Sequence, residues 1–459
     1  MAQPALIPFN PVVPWEGDVK TYGMVGPLLF PMEYNGWREE SLSWKKGAYL
    51  GAALSMSPTY AIEGPDAERF FSDHFVNNFA TMPVGGFRHG IMCDEKGRIM
   101  QDGVVLRLAQ DEFYTMWLDP YIGYVFSKGG YDAVGTALTG QRFLFQVAGP
   151  RSLEILERAA GEDLHDIQFG HHRMTRIAGA DVRVFRLGMA GSLAYEVHGD
   201  MPSGQDVYEA IWEAGRGLGL QKLGHFAYML NHTEDGFPQA YYHFPYPWYE
   251  DPDFAKYLDE RPGSSFMMFM PRLYGSMGDD IQKRYVTPFD TGWENRIYWD
   301  HEFVGKRALR EMAKGPLRTV VTLEWNADDV ADVYASQFRG KAETYEPIAD
   351  RPNDIRYDPG VVDQATGYPR TFTYHADKVL KDGREIGFSS GRAVSQMYHR
   401  MISLGFISRD EAKLGNEVTV VWGSPGWPQK EIRATVARFP YLQEVRNDQV
   451  DVANIPRLS

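Results

Sequence analysis

The first concentration of chemistry in this sequence is a single acid set in an apolar strand. Residues 185–197 read Phe-Arg-Leu-Gly-Met-Ala-Gly-Ser-Leu-Ala-Tyr-Glu-Val. The pattern predicts a strand, a glycine-bounded turn, and a second strand carrying Glu196 between Tyr195 and Val197. Gly188 and Gly191 permit backbone angles that a residue with a Cβ resists. A carboxylate among apolar neighbours needs a partner, because an unpaired buried charge is costly. A flat heterocycle with several N–H donors would be such a partner. The same residues also fit a Glu on the solvent face of a half-buried strand, and pattern by itself favours that plainer arrangement.

Other motif-like segments carry less. Residues 215–219, Gly-Arg-Gly-Leu-Gly, resemble a dinucleotide loop but follow a predicted helix instead of a strand. His171 and His172 are adjacent, so they diverge on a strand, and no third metal ligand is spaced nearby. They read as surface or turn histidines. Asp328, Asp329 and Asp332 read as a solvated helix start. Cys93 is the only cysteine, which excludes an internal disulfide and a cysteine metal site. No metal is expected. The formal charge is −14 with no long Lys/Arg run, which argues against nucleic acid as a partner. The Pro-rich start lacks the basic and apolar regions of a signal peptide, and no apolar run reaches membrane-spanning length. A cytoplasmic protein without a membrane partner is expected, as monomer or homodimer.

These candidates must be held by elements that the periodicity outlines. Residues 65–76 predict a helix with Phe70, Phe71 and Phe75 on one face. Residues 97–108 predict two strand pieces around Gly103, followed by a strand at 111–117. A strand at 142–147, a helix at 151–160 and a helix at 205–215 follow. This mixture of helices and antiparallel hairpins indicates α+β. Between residues 236 and 299 aromatic and Met side chains crowd together, interrupted by prolines that forbid one regular element. Such a segment suits a lid over a flat apolar ligand or an oligomer contact, and the alternation of rings with polar residues favours the lid. Beyond residues 314–316 the pattern changes to strands at 317–325, 385–390, 401–407, 417–422 and 431–437, predicting an all-β unit.

Three segments together resemble the glycine-cleavage aminomethyltransferase (T-protein) superfamily. They are Arg186 to Glu196, Gly224 to Leu230 with Glu234-Asp235-Gly236, and His301 to Leu309, in matching order and spacing. Within it the chain is most similar to the tetrahydrofolate-dependent aromatic O-demethylases of the vanillate, syringate and 3-O-methylgallate type. The segments at 325–329, 334–336 and 404–422 support this, as does Tyr228 where aminomethyltransferases carry Arg. The resemblance implies a three-domain cloverleaf. Two ferredoxin-like α+β domains, 1–50 with 137–240 and 51–136 with 241–313, would surround a central folate channel, the second carrying the aromatic lid. Residues 317–459 would form a C-terminal β-rich barrel or jelly roll.

The resemblance also implies roles. Glu196, Gln146 and Phe169 would contact the pterin, with Met116 on the same side, and Phe237 falls at the position of a ring-stacking Trp. Tyr228 falls on the demethylases' catalytic tyrosine, and Asp102 on one of the aminomethyltransferases' paired acids. Phe30, Met56 and Leu118 replace a Tyr, a His and a carboxylate-binding Arg at the substrate end. These losses point away from a simple methoxybenzoate and toward a neutral or larger lignin-derived phenolic. The implied activity is O-demethylation of that aromatic substrate, the methyl passing to tetrahydrofolate. Two alternatives stand beside it: a lyase releasing formaldehyde from a hydroxymethyl aromatic, with or without folate, and a non-catalytic folate-binding protein.

Overall fold

In a strand, alternate side chains point to opposite faces, and in this protein both faces of two sheets are used. The computed structural model describes residues 9–25, 28–261, 270–340, 343–352, 357–362 and 369–457. One six-stranded sheet runs in the order His172–Ile177, Ala180–Phe185, Ala194–Asp200, Arg142–Ala148, Ala48–Gly51, Leu220–Lys222. On one face Phe143, Phe145, Val147, Tyr195 and Val197 join a core with the helices Ser152–Ala160 and Gly204–Arg216. The intervening residues Leu144, Ala148 and Ala194 face the other way, into a second cluster with Phe185.

A five-stranded sheet repeats the logic in the order Phe87–Cys93, Ile99–Ala109, Glu112–Met116, Thr59–Glu63, Val134–Ala137. Val105 and Phe113 pack on Phe70 and Phe71 of the helix Ala67–His74. Leu106, Tyr114 and Met116 belong instead to the cluster that also holds Leu144 and Phe185. The two sheets therefore turn their inner faces toward one shared interior, and the fold is α+β. The segment after residue 241 covers the second sheet's core with Phe244, Trp248, Phe254 and Trp293. Of the predicted aromatic lid, residues 262–269 lie outside the described residues.

The expected break at Gly103 is absent: Ile99–Ala109 is one continuous strand. A Cβ at residue 103 would stand 2.2 Å from the Met116 carbonyl oxygen. The glycine therefore serves close approach of a neighbouring backbone instead of ending a strand. The turn after Phe185 does need its glycine for conformation: Gly191 has φ +75°. His172 also departs from expectation, being buried and accepting from Arg183 Nη1 at 2.9 Å through Nδ1.

The C-terminal strands close a six-stranded barrel: Arg318–Trp325, Arg400–Ser408, Arg384–Ser395, Asp377–Lys381, Glu417–Trp422, Lys430–Ala437. It is not purely β. The helix Ala327–Ser336 is capped by the Asn326 side chain, which accepts from the amides of Asp328 and Asp329. Among the described residues no helix is long and apolar enough to cross a membrane.

The helix His225–Asp235 joins these parts. Every residue from Phe226 to Asp235 is buried. Three of its polar side chains, Thr233, Glu234 and Asp235, are matched by groups from distant segments. Lys45 Nζ lies 2.5 Å from Glu234, with both side chains fully buried. Ser395 of the barrel donates to Glu234 at 2.6 Å, and Thr233 donates to the Gly391 carbonyl at 2.9 Å. Arg446 pairs with Asp235 at 2.6 Å. Burial pulls the Lys45 ammonium below its ordinary range, against the opposing pull of Glu234. Lys45→Met would strand a buried carboxylate, and we expect a loss of about 3–5 kcal/mol, read as a lower unfolding midpoint. Lys45→Met combined with Glu234→Leu should recover most of that loss; equal instability of the single and double variants would rule out the pair as its source.

Candidate active site

Glu196 gains its place from the strand alternation. Tyr195 and Val197 take the helix side, so Glu196 is turned inward, opposite Gln146 on the neighbouring strand. Gln146 Nε2 donates to Glu196 Oε1 at 3.1 Å, and His198 Nε2 lies 3.3 Å from Oε2. The carboxylate is 4% exposed and lines a cavity between the two inner faces. A carboxylate has about four acceptor positions, so these partners leave room for further N–H donors from the cavity.

Tyr228 reaches the same cavity from the helix His225–Asp235. Residues three and four apart share a helix face. Accordingly His225 stacks on Tyr228 at 5.5 Å and His232 meets it edge-on at 4.8 Å. Burial, reinforced by the Glu196 charge, raises the Tyr228 phenol above its ordinary range, so it keeps its proton. Burial pushes His225 and His232 down to about 4, and both imidazoles are neutral.

Asp102 also lines the cavity, but both its oxygens are engaged. Tyr246 donates to Oδ1 at 2.6 Å, and His89 Nε2 donates to Oδ2 at 2.9 Å. Arg296 donates to His89 Nδ1. A guanidinium has no acceptor, so this nitrogen of His89 is the acceptor and its proton sits on Nε2. Burial and the nearby Arg296 charge hold His89 down at about 4. Burial likewise pulls Arg296 down to about 10. The result is a buried chain of donors from Arg296 through His89 to Asp102.

Of the expected site residues, the structure gathers Glu196, Gln146, Met116, Phe237, Asp102, Tyr228 and Phe30 around one cavity. Phe169 is 41% exposed and lines an adjoining outer groove, which meets the cavity at His89, Leu187 and Phe237. Leu118 is fully buried in the second sheet's core, against the space beside Gly103, and is not among the residues lining the cavity. Met56 lies in the 3-10 turn Ala53–Met56, and its side chain falls outside the described residues. Arg186, the head of the motif, points away from the site and donates to the Asn447 side chain at 3.1 Å and the Val450 carbonyl at 2.6 Å.

The sequence reading missed His89, His225, His232, Arg296 and Tyr246. The seven-residue spacing of His225 and His232 around Tyr228 is a signal that helix periodicity could have caught. His89 and Arg296 are 207 residues apart, and no local pattern joins them. Two cavity-lining aromatics, Trp117 and Tyr241, stand at φ +65° and +66°. Bulky residues rarely adopt this conformation, and such strain concentrates at functional sites.

Comparison with known proteins gives consistent results. The family profile described as the GCVT N-terminal domain matches residues 19–242. The chain is 50% identical over 430 residues to a sesamin methylene transferase from a Sinomonas species, covering 93% of each protein. It is 28% identical over 466 residues to a syringate O-demethylase from a Sphingobium species, again covering 93% of each. The crystal structure of glycine cleavage system aminomethyltransferase T from Bartonella henselae shares the fold. Its TM-score is 0.66 at 17% identity, covering 94% of this chain and 95% of that one.

His225 offers a clean test of the buried, neutral imidazoles, because burial alone accounts for its shift to about 4. Its folded pKa lies below the unfolded value of about 6.5. The unfolded chain therefore binds the extra proton first, and stability from this group falls as pH drops from about 6.5 to about 4. Relative to His225→Gln, the wild-type protein should lose stability to urea between pH 7 and pH 4.5. Parallel stability curves for the two proteins over that range would show that His225 protonates freely in the folded state.

Proposed function

The chain belongs to the GCVT aminomethyltransferase family, and on that premise we propose that it moves a one-carbon unit from a neutral aromatic ether to tetrahydrofolate. One observation carries the choice of substrate. The described cavity lining contains two acids, Glu196 and Asp102, and no lysine or arginine. A benzoate-like anion would be desolvated there beside like charge with no cation on the lining, Arg296 lying behind His89, which is costly. An uncharged aryl ether meets no such penalty. This preference comes from the lining as a whole and does not involve Leu118.

The donor set fits a reduced pterin. Glu196 keeps acceptor positions open to the cavity, and the paired Gln146 holds its carboxylate in place. Phe237 and Met116 supply apolar surface beside it, and Phe30 walls the substrate end. When bound, tetrahydrofolate supplies nitrogen nucleophiles that accept the carbon and release their N–H protons. Tyr228 supplies the proton that the departing aryl oxygen needs, and its burial keeps that proton in place until then. Proton transfer by a positioned group of this kind contributes roughly 10²–10⁴-fold. Closing the apolar walls around the reacting atoms supplies alignment and excludes water.

The unit transferred is, in this reading, the methylene bridge of a methylenedioxyarene, with O-demethylation of a methoxyarene as the related reaction. Support comes from a relative named for methylene transfer at 50% identity, against one named as an O-demethylase at 28%. A methylenedioxy ring frees two neighbouring oxygens, and the Tyr228 phenol with two imidazoles beside it suits a product needing two protons.

The test is a product assay. A neutral methylenedioxyarene and tetrahydrofolate should give catechol and methylene-tetrahydrofolate in equal amounts, with no catechol when folate is omitted. Formaldehyde release in folate-free buffer would reject the transferase in favour of a lyase; folate binding without turnover of any aryl ether would leave only a binding protein. Tyr228→Phe should lower kcat by roughly 10²–10⁴-fold with little change in KM. Glu196→Ala should weaken tetrahydrofolate binding measured by calorimetry.

A further inference from the structure

The helix His225–Asp235 ends in a backbone reversal that fixes the chemistry of a side chain one turn back. Gly236 stands at φ +70°, and a Cβ there would meet the Phe439 ring at 2.7 Å. The reversal brings Phe237 back over the last turn. Its amide donates to the His232 carbonyl at 3.1 Å, and its own carbonyl lies 3.2 Å from His232 Nδ1. A ring nitrogen facing a carbonyl can only donate, so the His232 proton is on Nδ1. Nε2 is then a bare lone pair, buried and without a partner among the described residues. His232 lines the cavity beside Tyr228.

A buried acceptor with no donor is costly, and here the fold specifies one through two bonds to a single residue. Of the other bases on the wall, Asp102 already accepts from Tyr246 and His89 and Glu196 from Gln146, and His225, whose Nε2 is also partnerless, has no hydrogen bond among the described residues that fixes its proton on Nδ1. Tyr228 has the complementary problem: its phenolate would sit buried near Glu196, so it can give up a proton only while regaining one.

We infer that His232 is the proton acceptor of this site, taking at Nε2 the proton that an amine nucleophile sheds and returning it to the Tyr228 oxygen. This rests on the one-carbon transfer proposed above. For each carbon–oxygen bond broken, one carbon–nitrogen bond forms. One proton leaves nitrogen and one arrives on the aryl oxygen. The carbon keeps its oxidation level, so no oxidant or reductant is required.

The first measurement needs no cofactor and no turnover. Nitrogen-15 NMR of imidazole-labelled wild-type protein, with His232 assigned by loss of its signals in His232→Asn, should show a neutral ring protonated on Nδ1. An Nε2-protonated or charged ring overturns the inference. Should His232→Asn fail to fold, His232→Gln provides the same assignment. The second measurement is kinetic. His232→Asn keeps an N–H near the Nδ1 position but lacks Nε2. It should retain tetrahydrofolate affinity and KM, lose roughly 10²–10⁴-fold in kcat, and His232→Gly should recover part of its activity with added imidazole. Unchanged kcat, or a loss that follows folate affinity without imidazole rescue, overturns the inference while leaving the one-carbon transfer intact. Absence of wild-type turnover on every neutral aryl ether overturns both.

Discussion

The protein depends on one helix that has no solvent face. An ordinary amphipathic helix buries a stripe and hydrates the rest; His225–Asp235 buries every residue after its first. Its last three polar side chains, Thr233, Glu234 and Asp235, find partners inside the protein in Gly391, Lys45, Ser395 and Arg446. Those partners come from the N-terminal region, the barrel and the C-terminal segment. The helix that carries Tyr228 is thus tied to all three. Site assembly and global folding share the same contacts, which gives the site rigidity at the expense of tolerance to substitution.

The same burial sets the electrostatics. The side chains facing the space between the sheets are buried, where an acid needs hydrogen-bond partners. Glu196 is held by Gln146, and Asp102 by Tyr246 and His89. The imidazoles that have no carboxylate partner, His225 and His232, are neutral. The cavity is consequently acidic in its fixed charges and neutral in its movable protons. That combination disfavours anionic guests, presents acceptors to an N–H-rich ligand, and keeps a phenol protonated beside a free base. One physical cause, burial between two facing sheets, underlies the three properties together.

Much of the fold was legible in the sequence because it is written in local periodicity. The alternation at residues 142–147 and around Glu196 and the helices at 151–160 and 205–215 need no distant information, and each element is present. Gly103 misled because a glycine in a strand signals either a break or a close approach, and the Met116 carbonyl that decides between them lies on the next strand. Leu118 shows a related limit: resemblance to a family gives a position along the chain, but the direction of a side chain is set by packing, and Leu118 packs into the core.

The sequence by itself determined Glu196, Gln146, Asp102 and Tyr228 as candidates for chemistry, the strand that turns Glu196 away from Tyr195 and Val197, and the family whose fold brings Glu196 and Tyr228 together. Each of these is a matter of residue type, order and short-range spacing. Tertiary structure alone decided that both Asp102 oxygens are occupied, that Arg296 reaches His89 across 207 residues, and that the Phe237 carbonyl selects the His232 tautomer. A hydrogen bond acts over about 3 Å of space regardless of separation along the chain, so no reading of neighbours in sequence can locate such partners.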